Sequence, residues 1–122
     1  MVKTYKISEI SNMTNMPIPT LRYYEEIGLL KPDRDSNNYR VFSQRDLDWI
    51  TFIKRAKATG LSLSKIVQYS KLREKGESTV RERVAILEQQ EQLLVIEQEK
   101  LQEHIDFLRN KKQSYSEFQN KF

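Results

Sequence analysis

A chain of 122 residues has room for one compact domain, or for a small domain and one long element, and excludes two large domains. With 38% hydrophobic and 31% charged residues it is poor in core material, which predicts a small folded unit completed by a partner chain. The net charge of +4 is unevenly held: residues 1–75 carry 14 Lys and Arg against 8 Asp and Glu (+6), residues 76–122 carry 7 against 9 (−2), so a polyanion would dock on the first part.

The absence of cysteine excludes a disulfide framework, thiolate metal ligands and thiol redox chemistry. No stretch is apolar for long enough to span a bilayer, and the opening MVKTYKISEI lacks the apolar segment of a signal peptide. No basic helix with a large apolar face suggests a membrane surface either, so the expected compartment is cytoplasmic.

In chain order, weak alternation in TYKIS predicts a short strand, after which Ser8 is placed to N-cap a brief helix with Ile10 and Met13 among its apolar positions. Thr14 and Asn15 read as a turn. The next helix should begin near Pro17 or Pro19, because proline is tolerated only in a first turn, and should stop at Gly28. LLKPDRDSNNYRVF follows, two short apolar or aromatic runs around a Pro/Asp/Ser/Asn cluster, the pattern of a β-hairpin whose turn can use the left-handed tolerance of Asn37 and Asn38. FSQRDLDWITFIKRAKATG then reads as a helix capped by Ser43 and Asp46, with Leu47, Ile50 and Ile53, joined by Trp49 and Phe52, as a broad buried face and Gly60 as its end. Ser62 is placed to cap a fourth helix bearing Ile66, Val67 and Tyr69, which fades at KLREKGES.

From Thr79 a T-x-x-E capping box with Glu82 opens a segment without glycine or proline that predicts helix to about Asn110. Leu87, Leu94, Leu101 and Leu108 recur every seven residues, with Val80 one step earlier, and Val84, Glu91, Gln98 and Ile105 fill the companion positions. This is a coiled-coil seam with a polar middle. A lone helix this polar buries too little to be fixed, so the seam, comprising Val80, Val84, Leu87, Leu94, Leu101, Ile105 and Leu108, is assigned to dimerisation with a second copy. The expected division is 1–75 for the head and 76–122 for the coil and a short tail.

TLRYYEEIGLL carries the chemistry. At about 100° per residue, Ile18, Leu21 and, at its edge, Tyr24 share one face of the helix, and Pro19, Arg22, Tyr23 and Glu26 the other. Arginine can fork onto a guanine edge or a phosphate, and a tyrosine hydroxyl can bond a phosphate oxygen. Equally, Arg22 and Glu26 can form an exposed i,i+4 pair with both rings in the core. The order helix-turn-helix, hairpin, basic helix is the plan of a winged-helix DNA binder and favours the contact reading. The fold class expected is mostly α: a winged helix-turn-helix domain with a short β-hairpin wing, followed by a long coiled-coil helix.

TLRYYEEIGLLKP and NNYRVFSQRDLDWITFIKRAKATGLSL together resemble the MerR family of transcription regulators across residues 5–75. The long last helix resembles that family's antiparallel dimerisation coil. The resemblance implies a homodimer whose recognition helices and wings grip double-stranded promoter DNA with an overlong spacer, then bend and untwist it so that RNA polymerase can engage. It makes residues 17–27 the recognition helix, with Thr20, Arg22, Tyr23 and Tyr24 as candidate DNA contacts, assigns Tyr39 and Arg40 to the first wing, and places Lys54, Lys57, Ser62 and Lys65 beside the second. Structural alternatives stand for three of these: Tyr39 packed under the hairpin, Arg40 paired with an acidic neighbour, Lys57 simply solvated.

Two departures matter. Pro17 and Pro19 stand where many members of the family place a hydroxyl cap on the recognition helix. The branch most resembled, the aldehyde- and thiol-stress regulators, carries a reactive cysteine where this chain has Arg55, so thiol sensing and cysteine-based metal sites are excluded. Only about a dozen residues follow the coil, too few for the large drug-binding domain of some relatives. There, Tyr115, Phe118 and Phe122 form an aromatic patch suited to docking on the partner's head, with a small pocket as the alternative. His104 reads as a solvated helix residue. No nucleophile and base, phosphate loop or metal cluster predicts an enzyme, cofactor or metal. The competing class is a coiled-coil interaction protein whose basic head binds another protein; a parallel zipper DNA binder is disfavoured by Gly76, which interrupts any continuous basic helix.

Overall fold

The computed structural model describes residues 2–120. Its elements are β1 (Thr4–Tyr5), α1 (Ile7–Thr14), α2 (Ile18–Glu26), β2 (Asp33–Arg34), β3 (Arg40–Ser43), α3 (Gln44–Ala58), α4 (Leu63–Lys75), a 3-10 turn (Glu77–Thr79) and α5 (Val80–Asn120). The fold is mostly α, a helix-turn-helix with a small antiparallel sheet as wing and a long last helix. The chain divides into two compact units, Met1–Arg83 and Val84–Phe122.

In the first unit, α1 starts earlier than Ser8. Lys6 is the N-cap residue, and its backbone N–H donates to the Glu9 carboxylate at 2.9 Å, a partner three residues on that Ser8 does not have. The helix ends where Asn15 turns left-handed (φ 57°), and the Ser11 hydroxyl donates to the Met16 carbonyl at 2.6 Å across the turn. Pro17 then stands as N-cap of α2 with Pro19 in its first turn, both places where a missing N–H leaves no bond unmade. At the other end the N–H groups of Gly28 and Leu29 bond the carbonyls of Glu25 (3.0 Å) and Tyr24 (2.9 Å), a Schellman motif. Gly28 has φ +84° and a Cβ there would meet nothing within 4 Å, so backbone conformation, not space, calls for glycine.

The sheet has the order β1-β3-β2, all antiparallel, so the predicted TYKIS strand joins the hairpin: Tyr5 lies opposite Phe42, and Arg34 opposite Arg40. In the hairpin turn the Asp35 carboxylate accepts from the N–H groups of Asn37 and Tyr39, both at 2.9 Å. Of the two asparagines only Asn38 is left-handed, at φ 65°.

Ser43 and Asp46 form the expected capping box, with bonds of 3.0 and 2.9 Å, and so turn β3 directly into α3. Ile50 and Ile53 of α3 are fully buried with Ile10, Leu21, Phe42 and Ile66, which come from α1, α2, β3 and α4. The indole of Trp49 donates to the Leu29 carbonyl at 2.8 Å, fastening the loop after α2 to α3. Trp49, Phe52 and Tyr69 stack at centroid distances of 4.9–6.1 Å, and the Arg73 guanidinium lies 4.4 Å over the Trp49 ring, closing α4 against α3. Ser62 caps α4 by accepting from the Lys65 N–H at 3.2 Å. Thr79 does not form the expected box with Glu82. Its hydroxyl lies within bonding distance of the Leu72 (2.6 Å) and Gly76 (2.8 Å) carbonyls, and Arg83 Nε donates to it at 3.1 Å, so it secures the end of α4 and α5 begins at Val80.

Within the second unit α5 continues to Asn120, ten residues past the predicted stop at Asn110, because nothing in KKQSYSEFQN breaks a helix. Tyr115 and Phe118 are therefore part of α5, and Phe122 lies outside the described residues. Val84, Leu87, Leu94, Leu101, Ile105 and Leu108 of the seam are exposed, as is Val80. Among the described residues no helix is long and apolar enough to cross a membrane.

Ile53→Ala removes three carbons from the point where the elements of the head converge. It should cost about 2–5 kcal/mol of stability in chemical denaturation followed by circular dichroism.

Candidate nucleic-acid interface

Successive residues of α2 diverge by about 100°, and the core claims Leu21 and Tyr24, three apart, leaving their neighbours outside. Tyr24 is 3% exposed and Tyr23 47%, with ring centroids 6.2 Å apart and planes tilted by 48°. Tyr24 is thus a correction to the contact set: its ring seats the helix. Arg22 is exposed and forms no ion pair among the described residues, so the alternative pairing with Glu26 is not made. Thr20 is half-buried at the edge of the same surface.

Arg22 lines a cleft of about 810 Å³ whose other walls are Thr4–Glu9, from β1 to the start of α1, and the wing from Arg34 to Val41. Lys6, Arg22, Arg34 and Arg40 contribute four cationic side chains to it, and Glu9 and Asp35 two acidic ones. Both carboxylates also accept backbone N–H bonds, Glu9 from Lys6 and Asp35 from Asn37 and Tyr39. Tyr39 is 69% exposed at the wing tip and not packed beneath it.

Arg40 follows the alternative predicted for it. Half-buried, its Nε donates to Glu25 Oε1 at 2.7 Å. Arg34, across the hairpin, reaches the same carboxylate through Nη2 at 3.2 Å and the Asn38 carbonyl through Nη1 at 3.3 Å. Lys54 is also engaged: its ammonium donates to the Thr14 carbonyl at the end of α1, where the helix dipole favours a cation. Lys54, expected beside the second wing, thereby also ties α3 to α1. Lys57 and Lys65 are exposed on either side of the α3–α4 turn, and Ser62 in that turn serves as the α4 cap.

Sequence reading leaves out Arg34 and Glu25. A signal existed: two arginines six apart around a tight hairpin turn fall directly opposite one another, which is unfavourable for like charges unless an anion joins them.

Two family models match the chain: MerR HTH family regulatory protein over residues 5–72, and MerR, DNA binding, over residues 47–111. The chain is 34% identical to the HTH-type transcriptional regulator AdhR of Bacillus subtilis over 90 residues, 73% of this chain and 64% of AdhR. It is 37% identical to HmrR of Rhizobium leguminosarum over 62 residues, 51% of this chain and 48% of HmrR, so it spans about half to two thirds of these relatives. Among solved structures, a protein described as a MerR family transcriptional regulator from Listeria monocytogenes superposes with a TM-score of 0.78 at 33% identity, over 92% of this chain and 86% of that one. HiNmlR, a MerR family regulator lacking the sensor domain and bound to promoter DNA, superposes with a TM-score of 0.74 at 28% identity, over 85% and 80%. The chain belongs to the MerR family of helix-turn-helix regulatory proteins, which are transcriptional regulators and not enzymes.

Proposed function

We propose that this chain is a cytoplasmic, sequence-specific regulator that binds promoter DNA as an antiparallel coiled-coil homodimer. Residues 1–75 are its DNA-binding domain and residues 76–122 its dimerisation coil. The observation that carries the reading is the surface of α2: an exposed Arg22, without an ion pair among the described residues, beside a half-exposed Tyr23, lining a basic cleft walled by the wing. An arginine so placed can reach a base edge from a helix lying in the major groove, and Tyr23 and Thr20 can bond flanking phosphates. Tyr39 at the wing tip, and Lys57 and Lys65 about the α3–α4 turn, extend the footprint to the backbone on either side. Arg40 serves this surface from within, through Glu25. HiNmlR, bound to promoter DNA, supports the assignment by likeness of fold.

The exposed seam supports the homodimer. A row of leucine, isoleucine and valine on one polar helix needs a second apolar surface, and a copy of itself supplies one with the same spacing. Two heads joined by such a coil grip two half-sites at once. Bending and untwisting an overlong spacer between those half-sites, so that RNA polymerase can engage, is the mode of action we assign on family resemblance.

Two outcomes test these assignments. Arg22→Ala should lower discrimination between a duplex selected from a random pool and a scrambled control by about 1–3 kcal/mol, read by fluorescence anisotropy across a salt series. Unchanged selectivity, or binding indifferent to salt, would overturn the DNA-contact assignment. Leu94→Lys with Leu101→Lys should convert the dimer to monomer in sedimentation velocity and weaken binding to the two-half-site duplex. A variant that stays dimeric would remove the coil as the interface.

A further inference from the structure

The Glu25 carboxylate joins α2 to both strands of the wing. It projects from α2, is half-buried like Arg40, and receives Arg40 of β3 at 2.7 Å and Arg34 of β2 at 3.2 Å. The two arginines are directly opposed across the hairpin. Opposed cations repel, and without an anion between them the strands would splay or the guanidinium groups would turn outward to find one. On a DNA-binding face the nearest such anion is a phosphate, of any sequence.

We infer that Glu25 is a positioning residue that sets the ratio of specific to non-specific DNA binding: it fixes the wing on α2 and withholds one of the cluster's two positive charges from generic phosphate contact. The inference rests on the proposed reading that α2 and the wing share a DNA interface, and goes beyond it by assigning specificity to an acidic residue that contacts no base. Neutralising a carboxylate on a DNA face ordinarily raises affinity for every duplex alike. Here the two effects separate, because the released charge acts on all sequences and the released wing harms only the matched one.

The experiment compares full-length Glu25→Gln with the unmodified dimer on the selected and scrambled duplexes, over a potassium chloride series. The scrambled duplex should be bound several-fold more tightly, with the slope of log K against log salt steeper by about 0.9 for the one added phosphate contact. Affinity for the selected duplex should fall or stay level, so that the specificity ratio drops about tenfold or more. Glu25→Asp, which keeps the charge on a shorter arm, should retain the original slope and part of the ratio. The double variant Glu25→Gln with Arg34→Gln restores the net charge and should return the slope to its starting value without recovering the ratio, which separates charge from positioning. Helical circular dichroism of each variant at the assay temperature distinguishes a folded protein from a basic coil. Equal gains on both duplexes, or an unchanged ratio and slope in folded Glu25→Gln, would overturn the inference. Arg22→Ala run beside it tells the failures apart: if that variant loses selectivity while Glu25→Gln does not, only the role of Glu25 falls, and if neither does, the interface reading falls with it.

Discussion

The head is organised by the burial of one face of α3. Ile50 and Ile53 are sealed from water where α1, β3 and α4 pack on α3, and α2 packs in turn on α1 with Leu21 and Tyr24 buried. Burying side chains of this size is worth about 1.5–3 kcal/mol each, and a head this small has few of them. Its polar bonds consequently cluster at the joints. Trp49 holds the loop after α2, Ser43 and Asp46 hold the turn from sheet to helix, Lys54 holds the end of α1, and Thr79 with Arg83 holds the end of α4. Each of these fixes the direction in which an element leaves the core, and for α2 that direction decides which residues face outward.

Helix geometry then does the rest. Once Leu21 and Tyr24 are committed to the core, Arg22 and Tyr23 have no buried alternative, and an exposed surface follows from the packing of its neighbours. The same logic fails for α5, whose period-seven seam is exposed although Ile86 beside it is buried. An exposed apolar row at this spacing on a helix of 41 residues is a pattern that suits packing against another helix.

What could be read from the sequence divides by range. Gly28 as the end of α2, Ser43 with Asp46 as the start of α3, and the split between Tyr23 and Tyr24 all rest on neighbours within four residues, and the chain spells these out. Ser8 and Thr79 show how the same local rules mislead when two solutions are available: Glu9 makes its box with Lys6, and the Thr79 hydroxyl turns back to α4. α5 runs past the expected Asn110 for a related reason, since KKQSYSEFQN contains no stop and polarity alone does not end a helix. The bond of Lys54 is beyond local reasoning, and for Arg40 the sequence leaves pairing with an acidic neighbour as one of two alternatives. Their partners, Thr14 and Glu25, lie 40 and 15 residues away, and only the folded chain decides whether a surface cation is free or already committed.

That distinction changes the meaning of the charge. The +6 of residues 1–75 suggests a surface that grips any polyanion, yet several of its cations are engaged within the fold. Arg34 and Arg40 share Glu25, Lys54 holds a helix end, Arg73 lies over Trp49, and Lys31 pairs with Glu74 at 2.7 Å. Exposed pairs such as the last are weak and salt-sensitive, but the partly buried ones keep their side chains oriented. Among the described residues Lys6, Arg22, Arg45, Arg55, Lys57, Lys65, Lys71 and Lys75 are exposed and form no ion pair, and of these Arg22 lies on α2 and Lys57 and Lys65 about the α3–α4 turn. A regulator must discriminate against a vast excess of other sequences, so binding from undirected charge is a liability. Tying down part of the charge within the fold is one way for a small basic domain to limit undirected binding.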